Sequence, residues 1–436
     1  MKPISVGLAG LGTVAQGTLQ VLANNRQELA RRIGREIEVT HVGARRDRDG
    51  VDLSGLRVSR DLMAVATDPS VDVFVELIGG TDYARELIEA AIDSGKHVVT
   101  ANKALIAEHG NQLFERAQAK GVTIAFEAAV AGGIPVIKAI REGLAANQIH
   151  WLAGIINGTG NFILTAMRED GRAFADVLTE AQALGYAEAD PTFDVEGIDA
   201  AHKLAILASI AFGIPLNFEA VYTQGISSID LDDIDYAEEL GYRIKHLGIA
   251  RRTEQGVELR VHPTLIAETE LLANVNGVMN AVQIHGDAVG STLLNGPGAG
   301  SLPTASAVVA DLVDVARVLT ADPTNRVPHL AFQPNQLNDL PILPIEATRC
   351  PFYVRLMVRD EIGVLAEITR VLADHRVSLE SVIQKDGVEG EAVALILLTH
   401  AVIERDLMAA LQTISGASAV VGEPVVLRVE TLGGVL

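Results

Sequence analysis

Cysteine, aromatic residues and long apolar runs are scarce in this chain of 436 residues. Its single cysteine, Cys350, cannot form a disulfide within the chain, which is compatible with a reducing compartment. The longest apolar run, LAILASIAFGI at 204–214, is well short of the roughly 18–20 residues that span a bilayer. The lysine and apolar stretch at the N-terminus do not indicate a signal peptide, because the glycines there belong to a ligand-binding motif. We therefore expect a soluble, cytoplasmic protein.

Positive charge is also in short supply, since 35 Lys and Arg stand against 56 Asp and Glu and the formal net charge is −21. Nucleic acid and anionic membranes would not be attracted to such a chain, so we exclude both as partners. A small anionic ligand would need a local positive patch. A hydrophobic content of 48% with 4% aromatics is typical of an α/β protein, and the length suggests about three domains.

The order of short apolar runs and helical periodicity predicts the domains. Over 1–143, Val/Ile-rich runs alternate with helical segments, which indicates a parallel sheet covered on both faces in a doubly wound Rossmann domain. An α+β domain is predicted over 144–320, followed by a proline-rich linker at 321–348. Residues 349–436 read strand, helix, strand, strand, helix, strand, which is the βαββαβ order of a ferredoxin-like module.

The segment GLAGLGTVAQG joins the first predicted strand to the first predicted helix. In it Gly10 permits a tight turn, Gly12 lets the backbone approach a pyrophosphate, and Ala15 allows close helix packing. The start of the helix, with Thr13 and Val14, would hold the phosphates. We predict a bound dinucleotide; a purely structural glycine turn is the alternative.

The end of the second predicted strand, EVTHVGARRDRDG, bears on the choice between NADPH and NADH. A carboxylate there would bind a ribose 2′-hydroxyl, whereas arginine suits a 2′-phosphate. Arg45 and Arg46 occupy this place, so NADPH is favoured and NADH remains possible. The alternative is a solvated run of charges, to which Asp47, Arg48 and Asp49 contribute.

Two further segments carry groups suited to catalysis. Thr100, Asn102 and Lys103 of TANK follow a predicted strand, so they would face the nicotinamide and the substrate. A lysine at the start of a helix opposes the helix dipole unless it meets an anionic ligand. The segment GYAEADPTFDVEGIDAAHK at 185–203 gathers acids and a lysine. Its acids would pair with a substrate ammonium while the lysine protonates or polarises a carbonyl oxygen; a solvated acidic loop is the alternative.

Five segments in order, over essentially the whole chain, resemble the homoserine dehydrogenase family: TANK, FEAAVAGGIPVI, IINGTGNFIL, GYAEADPTFDVEGIDAAHKL and GPGAGSLPTASAVVADL. The resemblance implies reduction of L-aspartate 4-semialdehyde to L-homoserine with NADPH or NADH, on the route to threonine, methionine and isoleucine. It also implies that 144–320 binds substrate, catalyses and dimerises, and that a helix near 304–319 returns to the Rossmann domain. Since no aspartate kinase segment precedes residue 1, we expect a monofunctional enzyme.

The resemblance also implies roles for single residues. Lys203 matches the family's acid/base, supported by Asp199, although whether Lys203 or Lys103 delivers the proton stays open. The implied substrate-binding residues are Glu188, Asp194, Asp199, Gly185 and Thr159, and Gly298 is implied to contact the cofactor. A monovalent cation, usually sodium, is implied at Glu127, Val130, Gly132 and Ile134; a simple chain turn at Gly132-Gly133 is the alternative. After Gly298 we expect Thr304 or Ser306 to cap the next helix.

The segment VRDEIGVLAEITRVLADHRVSLESV resembles an ACT domain through Asp360, Gly363, Val364 and Leu365. This implies feedback inhibition by L-threonine and a homo-oligomer, either a dimer or a tetramer, paired through ACT sheets. A module that serves only assembly is the alternative. Two other functions remain open for the whole chain: a dehydrogenase of another amino-acid semialdehyde, and a non-catalytic amino-acid sensor that retains a Rossmann shell.

Overall fold

The computed structural model describes residues 2–46, 48, 51–319, 326–384 and 392–432. The predicted charged-run residues Asp47 and Asp49, and 320–325 around the start of the predicted linker, lie outside them. Within the described ranges, no helix is both long and apolar enough to cross a membrane. The chain divides into a first unit (Met1–Leu152, His202–Val221, Met279–Leu340) and a second unit (Ala153–Ala201, Tyr222–Val278, Pro341–Leu436).

The elements of regular structure are as follows. The strands are β1 (Ile4–Ala9), β2 (Ile37–Gly43), β3 (Arg57–Ser59), β4 (Val73–Glu76), β5 (His97–Thr100), β6 (Ile124–Ala125), β7 (Ile149–Ile155), β8 (Tyr222–Thr223), β9 (Tyr242–Arg252), β10 (Val257–Ala267), β11 (Met279–Gly286), β12 (Gly290–Pro297), β13 (Arg349–Cys350), β14 (Phe352–Arg359), β15 (Leu379–Gln384), β16 (Ala392–Thr399), β17 (Val402–Ile403) and β18 (Val420–Glu430). The helices are α1 (Thr13–Asn24), α2 (Arg26–Ile33), α3 (Leu62–Ala66), α4 (Asp82–Asp93), α5 (Lys103–Ala119), α6 (Val136–Lys138), α7 (Gly158–Asp170), α8 (Phe174–Ala183), α9 (Thr192–Val195), α10 (Ile198–Phe212), α11 (Leu231–Glu239), α12 (Ser301–Val318), α13 (Val364–Asp374) and α14 (Glu404–Ser415).

A parallel sheet with strand order β3-β2-β1-β4-β5-β6 forms the centre of the first unit. Strands β1, β4 and β5 are buried at every position, because both faces of the sheet are covered. The strand order reverses between β1 and β4, and ligands of such sheets bind beyond the carboxyl ends of the strands at this point. The predicted doubly wound architecture is confirmed.

Helix α12 packs against α1 in the core of the first unit. Its buried Val308, Leu312 and Val315 join the same apolar cluster as the strand residues Val6 and Leu8. The packing is close at Gly17 of α1, where a Cβ atom would lie 2.5 Å from the carbonyl oxygen of Ser301. The hydroxyl of Ser301 also donates to the carbonyl of Thr13, at 2.9 Å. The start of α12, which follows Gly298 in the chain, is thereby held against the start of α1.

The expected cap of α12 is wrong. The helix begins at Ser301, after Gly300 at φ 122°, and no side chain caps it. Thr304 and Ser306 lie inside the helix, and the Thr304 N–H donates to the Gly300 carbonyl at 3.2 Å. Pro303 in the first turn lacks an N–H that would need a partner, so the helix can start before it.

The C-terminal part of the second unit has the predicted βαββαβ order. Its strands lie in the order β18-β14-β16-β15, all antiparallel, with α13 and α14 contributing to one apolar core. Strand β18 also pairs in parallel with β10, which forms a long antiparallel hairpin with β9. The second unit therefore contains a ferredoxin-like fold whose last strand continues into a further sheet.

Candidate active site

A cleft of about 620 Å³ lies in the first unit between the turn after β1, the end of β2 and the turn after β4. Gly10 has φ 105°, and a Cβ atom there would lie 2.7 Å from the carbonyl oxygen of Leu77. By contrast, a Cβ atom on Gly12 would have no heavy atom within 4 Å. The turn therefore requires a glycine at position 10. At Gly12 the missing side chain instead leaves free space in the cleft next to the backbone.

The polar groups around this cleft suit the anionic parts of a dinucleotide. Helix α1 starts at Thr13, followed by Val14, without a side-chain cap from Gly12 and without an acid in its first turn. Its first N–H groups therefore offer a favourable end of the helix dipole to a phosphate. Arg45 and Arg46 are exposed and line the same cleft.

The loop after β4 forms another wall that the sequence reading missed. Gly79 and Gly80 have φ values of 72° and 76°. The buried carboxylate of Glu76 accepts N–H groups from Ile78 and Gly79, at 2.8 and 3.1 Å. The signal was a glycine pair directly after an apolar strand, which marks a turn with positive φ.

Two predicted cofactor residues hold the turns after β4 and β5 together. The buried Thr100 hydroxyl donates to the Glu76 carboxylate at 2.6 Å and accepts the Asn102 N–H at 3.0 Å. Asn102 caps α5 by accepting the Leu105 N–H at 3.2 Å, and it donates to the Gly80 carbonyl at 2.7 Å. Since α5 begins at Lys103, these bonds fix the position of the predicted catalytic lysine.

Lys103 and Lys203 both belong to the first unit, are half-buried and lie on packed helices. His202 of α10 is 3.3 Å from the carboxylate of Glu108 on α5, and its ring stacks on Phe218 with centroids 3.9 Å apart. The contact between His202 and Glu108 was not predicted from the sequence, although His202 is adjacent to Lys203 in the sequence. The contact joins the two helices that carry the lysines.

The second unit brings together the predicted acids of 185–203. Asn157, just before α7, donates to Asp194 at 2.8 Å and to Asp199 at 2.9 Å. Thr159 donates its hydroxyl to the carbonyl of Tyr186 at 2.7 Å, which ties α7 to the same segment. Asp199 is 4% exposed and lies in the first turn of α10, four residues before Lys203 on that helix.

The remaining predicted substrate residues lie on an open loop between α8 and α9. Gly185 has φ 75°, and both Gly185 and Glu188 are exposed. The side chain of Gln182 donates to the carbonyls of Glu188 and Ala189, at 3.1 and 3.3 Å. The backbone of this loop is therefore anchored while the Glu188 carboxylate stays at the surface.

Glu127 of the predicted cation segment is buried in the first unit. Its carboxylate accepts the N–H groups of Ile137 and Lys138, at 2.9 and 2.8 Å, and its own N–H donates to Asp311 at 2.8 Å. Burial raises the pKa of Glu127 to about 7. Burial and the neighbouring Glu127 charge raise the pKa of Asp311 well above its usual range. Two acids thus share a dry site in which positive charge would be favourable.

A backbone carbonyl oxygen lies close to the next turn of this segment. Val130 and Ile134 are buried, and between them Ala131 and Gly132 have φ values of 52° and 31°. A Cβ atom on Gly132 would lie 2.6 Å from the carbonyl oxygen of Gly298. Within the described ranges, no group of three or more His, Cys, Asp and Glu side chains is arranged to hold a metal. A cation at this turn would depend on backbone carbonyl oxygens, which suit a hard monovalent ion.

A second cleft, of about 490 Å³, lies at the turn between β14 and α13. Its lining includes all four residues predicted for regulation, Asp360, Gly363, Val364 and Leu365. Gly363 has φ 97° and precedes α13 without a side-chain cap. Gln384 donates to Asp360 across the cleft at 3.4 Å.

Comparison with known families decides the assignment. A model described as homoserine dehydrogenase matches residues 135–313, and one described as its NAD-binding domain matches 10–127. The chain belongs to the homoserine dehydrogenase family. An ACT domain matches 352–416, so the predicted ACT module is confirmed.

Two relatives of known name match nearly the whole chain, and a third matches about three quarters of it. The homoserine dehydrogenase of Pseudomonas aeruginosa is 62% identical over 99% of this chain and 100% of its own length. A crystal structure of the homoserine dehydrogenase from Thiobacillus denitrificans superposes with a TM-score of 0.94 at 61% identity, covering 98% of both chains. A hyperthermophilic archaeal homoserine dehydrogenase, solved with NADPH, has a TM-score of 0.61 at 26% identity and covers 72% of this chain and 98% of its own.

Proposed function

We propose that the chain catalyses the reversible reduction of L-aspartate 4-semialdehyde to L-homoserine, as a step toward threonine, methionine and isoleucine. The observation that carries the proposal is the set of reactive groups kept in the family's blocks. Lys103 and Lys203 stand on joined helices of the first unit, and Asp194 and Asp199 are joined in the second. An ammonium-bearing aldehyde needs both kinds of group, acids for the ammonium and a proton donor for the oxygen.

The residues divide the chemical work as follows. Asp194, Asp199 and Glu188 attract the substrate ammonium and thereby orient the aldehyde. Bound nicotinamide supplies the hydride that forms the new C–H bond at the aldehyde carbon. Lys203 donates a proton to the aldehyde oxygen in the same direction, and Lys103 meets the negative charge of cofactor and substrate. In the reverse direction Lys203 accepts the proton of the homoserine hydroxyl.

NADPH is the proposed preferred cofactor, with NADH accepted less well. Arg45 and Arg46 line the cleft, and a guanidinium suits a 2′-phosphate better than a 2′-hydroxyl. The NADPH complex of the archaeal relative supports the same choice. The cation proposed for the turn at Val130, Gly132 and Ile134, together with Glu127, is sodium, held by carbonyl oxygens.

L-Threonine is the proposed effector at the cleft of the ACT domain. Asp360 would bind its ammonium group, and the first N–H groups of α13 would bind its carboxylate. The edge strand β15 exposes Val382, 41% accessible, and supports pairing of ACT sheets in a dimer or tetramer. The chemistry and the single cysteine of the chain fit the cytoplasm.

The test is the initial rate of NADP⁺ reduction by L-homoserine at alkaline pH, with sodium present, with and without L-threonine. We expect turnover that threonine suppresses. Lys203→Ala should lower kcat roughly 10²–10⁴-fold, the usual contribution of general acid–base catalysis, while NADPH affinity stays within about twofold.

Two controls sharpen the assignment of the proton donor. Lys120→Ala, at an exposed site just after α5, should leave the rate unchanged. Methylamine added to Lys203→Ala should restore part of the rate if this lysine moves the proton, and rescue of Lys103→Ala instead would transfer the role to Lys103. Wild-type protein that binds NADPH but turns over neither homoserine nor its analogues would favour the sensor function.

A further inference from the structure

Asn157 lies in the block IINGTGNFIL, and the motif comparison gives it no role. The residue is 5% exposed and precedes α7. Its side-chain oxygen accepts the Gly160 N–H at 2.7 Å, and its side-chain nitrogen donates to Asp194 at 2.8 Å and to Asp199 at 2.9 Å. The oxygen and the nitrogen of the carboxamide therefore form hydrogen bonds at the same time.

The orientation of this carboxamide is fixed by its partners. Only the oxygen can accept the Gly160 N–H, so the NH₂ group must point toward the carboxylates. Flipping the group would place two N–H donors against an N–H and an oxygen against two carboxylates. The side chain thus has one orientation that satisfies all three partners.

The two carboxylates come from different elements. Asp194 belongs to α9 and Asp199 to the first turn of α10. Each accepts one N–H from the same nitrogen, so one carboxamide holds both carboxylates beside it.

We propose that Asn157 is a positioning residue for the reaction, one that holds the side chains of Asp194 and Asp199 in place for a substrate ammonium. The proposal rests on the proposed function. A residue that served only as a helix cap would need its oxygen alone. The two N–H donors are the part that a cap does not require, so a substitution that removes only them separates the two roles.

Asn157→Asp is that substitution. Aspartate has the same shape and caps helices as well as asparagine, so the Gly160 bond is kept while both donors are replaced by an oxygen. The matched control is Asn217→Asp, at an exposed cap whose oxygen accepts the Ala220 N–H at 3.3 Å. No described carboxylate is bonded to that side chain.

The measurements are kcat and KM for homoserine and for NADP⁺, NADPH affinity by fluorescence titration, and Tm. We expect Asn157→Asp to lower kcat/KM for homoserine at least 100-fold with NADPH affinity within twofold, and to lower Tm as well, because it buries a third carboxylate beside Asp194 and Asp199. Asn217→Asp should match wild type in every measurement. Asn157→Ser, which keeps a cap but not the paired donors, should also lower kcat/KM for homoserine.

Every other outcome would overturn either the positioning role of Asn157 or the proposed function. Asn157→Asp within threefold of wild type would overturn the positioning role alone. Parallel losses of NADPH affinity and turnover in both Asn157→Asp and Asn157→Ser would assign Asn157 a structural role and also overturn it. A wild-type protein without homoserine turnover would overturn the proposed function first, and the positioning role with it.

Discussion

The cleft at the glycine turn of the first unit and the cleft of the ACT domain use the same backbone device. Each follows a strand, contains a glycine at positive φ, and lies at the start of a helix without a side-chain cap: Gly10 at φ 105° before α1, and Gly363 at φ 97° before α13. The free N–H groups of a helix start attract the anionic end of any ligand. The backbone therefore makes both clefts suitable for an anionic group, but it does not determine which ligand each would prefer.

The side chains differ where the backbones agree. Arg45 and Arg46 line the first cleft, whereas Asp360 and Glu361 line the second. On a chain with a net charge of −21, the arginines supply the local positive charge that phosphates need. In the second cleft an acid beside a helix start offers opposite charges to the two ends of a zwitterion, which is the character of a free amino acid.

Filling the floor of the first cleft should have the largest effect. Gly12 has φ −73° and no atom within 4 Å of an added Cβ, so Gly12→Val should fold normally while its side chain occupies the space for the pyrophosphate. We expect NADPH affinity to fall more than about 100-fold, because close backbone approach is what this glycine permits. Fluorescence titration measures the loss.

The control for this change is Gly143→Val, at an exposed glycine that also has open space at its Cβ position. It should leave NADPH affinity unchanged. Threonine binding to the Gly12→Val protein, followed by calorimetry, should also be unchanged. A Gly12→Val protein that keeps its NADPH affinity would show that the cofactor does not lie over this turn.

Asp360→Asn should break the second cleft alone. The change keeps the size of the side chain and removes the charge that would pair with the ammonium of threonine. We expect the threonine concentration for half-inhibition to rise about tenfold or more, the loss of roughly 1.5–3 kcal/mol typical of a hydrogen bond to a charged group, with uninhibited kcat unchanged. The exposed Asp374→Asn, at the other end of α13, is the control. If threonine inhibited Asp360→Asn as strongly as wild type, the only role left for the ACT domain would be in assembly of the oligomer.

Local patterns predicted much of the fold and of both clefts. The motif at Gly10 and Gly12 and the turn at Gly363 are contiguous in sequence, so turn chemistry and strand periodicity identified them. The β1–β4 reversal and the βαββαβ order follow from the same alternation of elements. The cap predicted at Thr304 is wrong because the prediction favoured a residue with a side-chain hydroxyl. The helix instead begins directly after Gly300, which has φ 122°.

The missed residues share a different feature, since their partners are distant in sequence. Glu76 bonds to Thr100, 24 residues away, and Asn157 bonds to Asp194 and Asp199, 37 and 42 residues away. A buried acid in a strand can be explained locally as an isolated polar residue in an apolar core. An asparagine before a helix can be explained locally as an N-cap. Only the fold shows that both organise neighbouring loops, which no periodicity encodes.

The smallest effect should separate the two glycines that look alike. Both Gly10 and Gly363 have positive φ, so an alanine at either position carries backbone strain of roughly 1–3 kcal/mol. At Gly363 the added Cβ would meet nothing within 4 Å, whereas at Gly10 it would lie 2.7 Å from the Leu77 carbonyl oxygen and force β1 and β4 apart. We expect Gly10→Ala to lower the free energy of unfolding by about 1–2 kcal/mol more than Gly363→Ala does, the order of a typical overpacking penalty.

Urea unfolding of the two alanine variants measures this difference, with NADPH and threonine absent so that ligand binding does not contribute. The comparison is sharp because residue type, substitution and sign of φ are the same at both sites, and only the neighbouring carbonyl differs. Equal losses would mean that the turn after β1 relaxes as freely as the exposed turn before α13. Gly10 would then be required by the ligand rather than by the fold, and its substitution would act on NADPH affinity instead of stability.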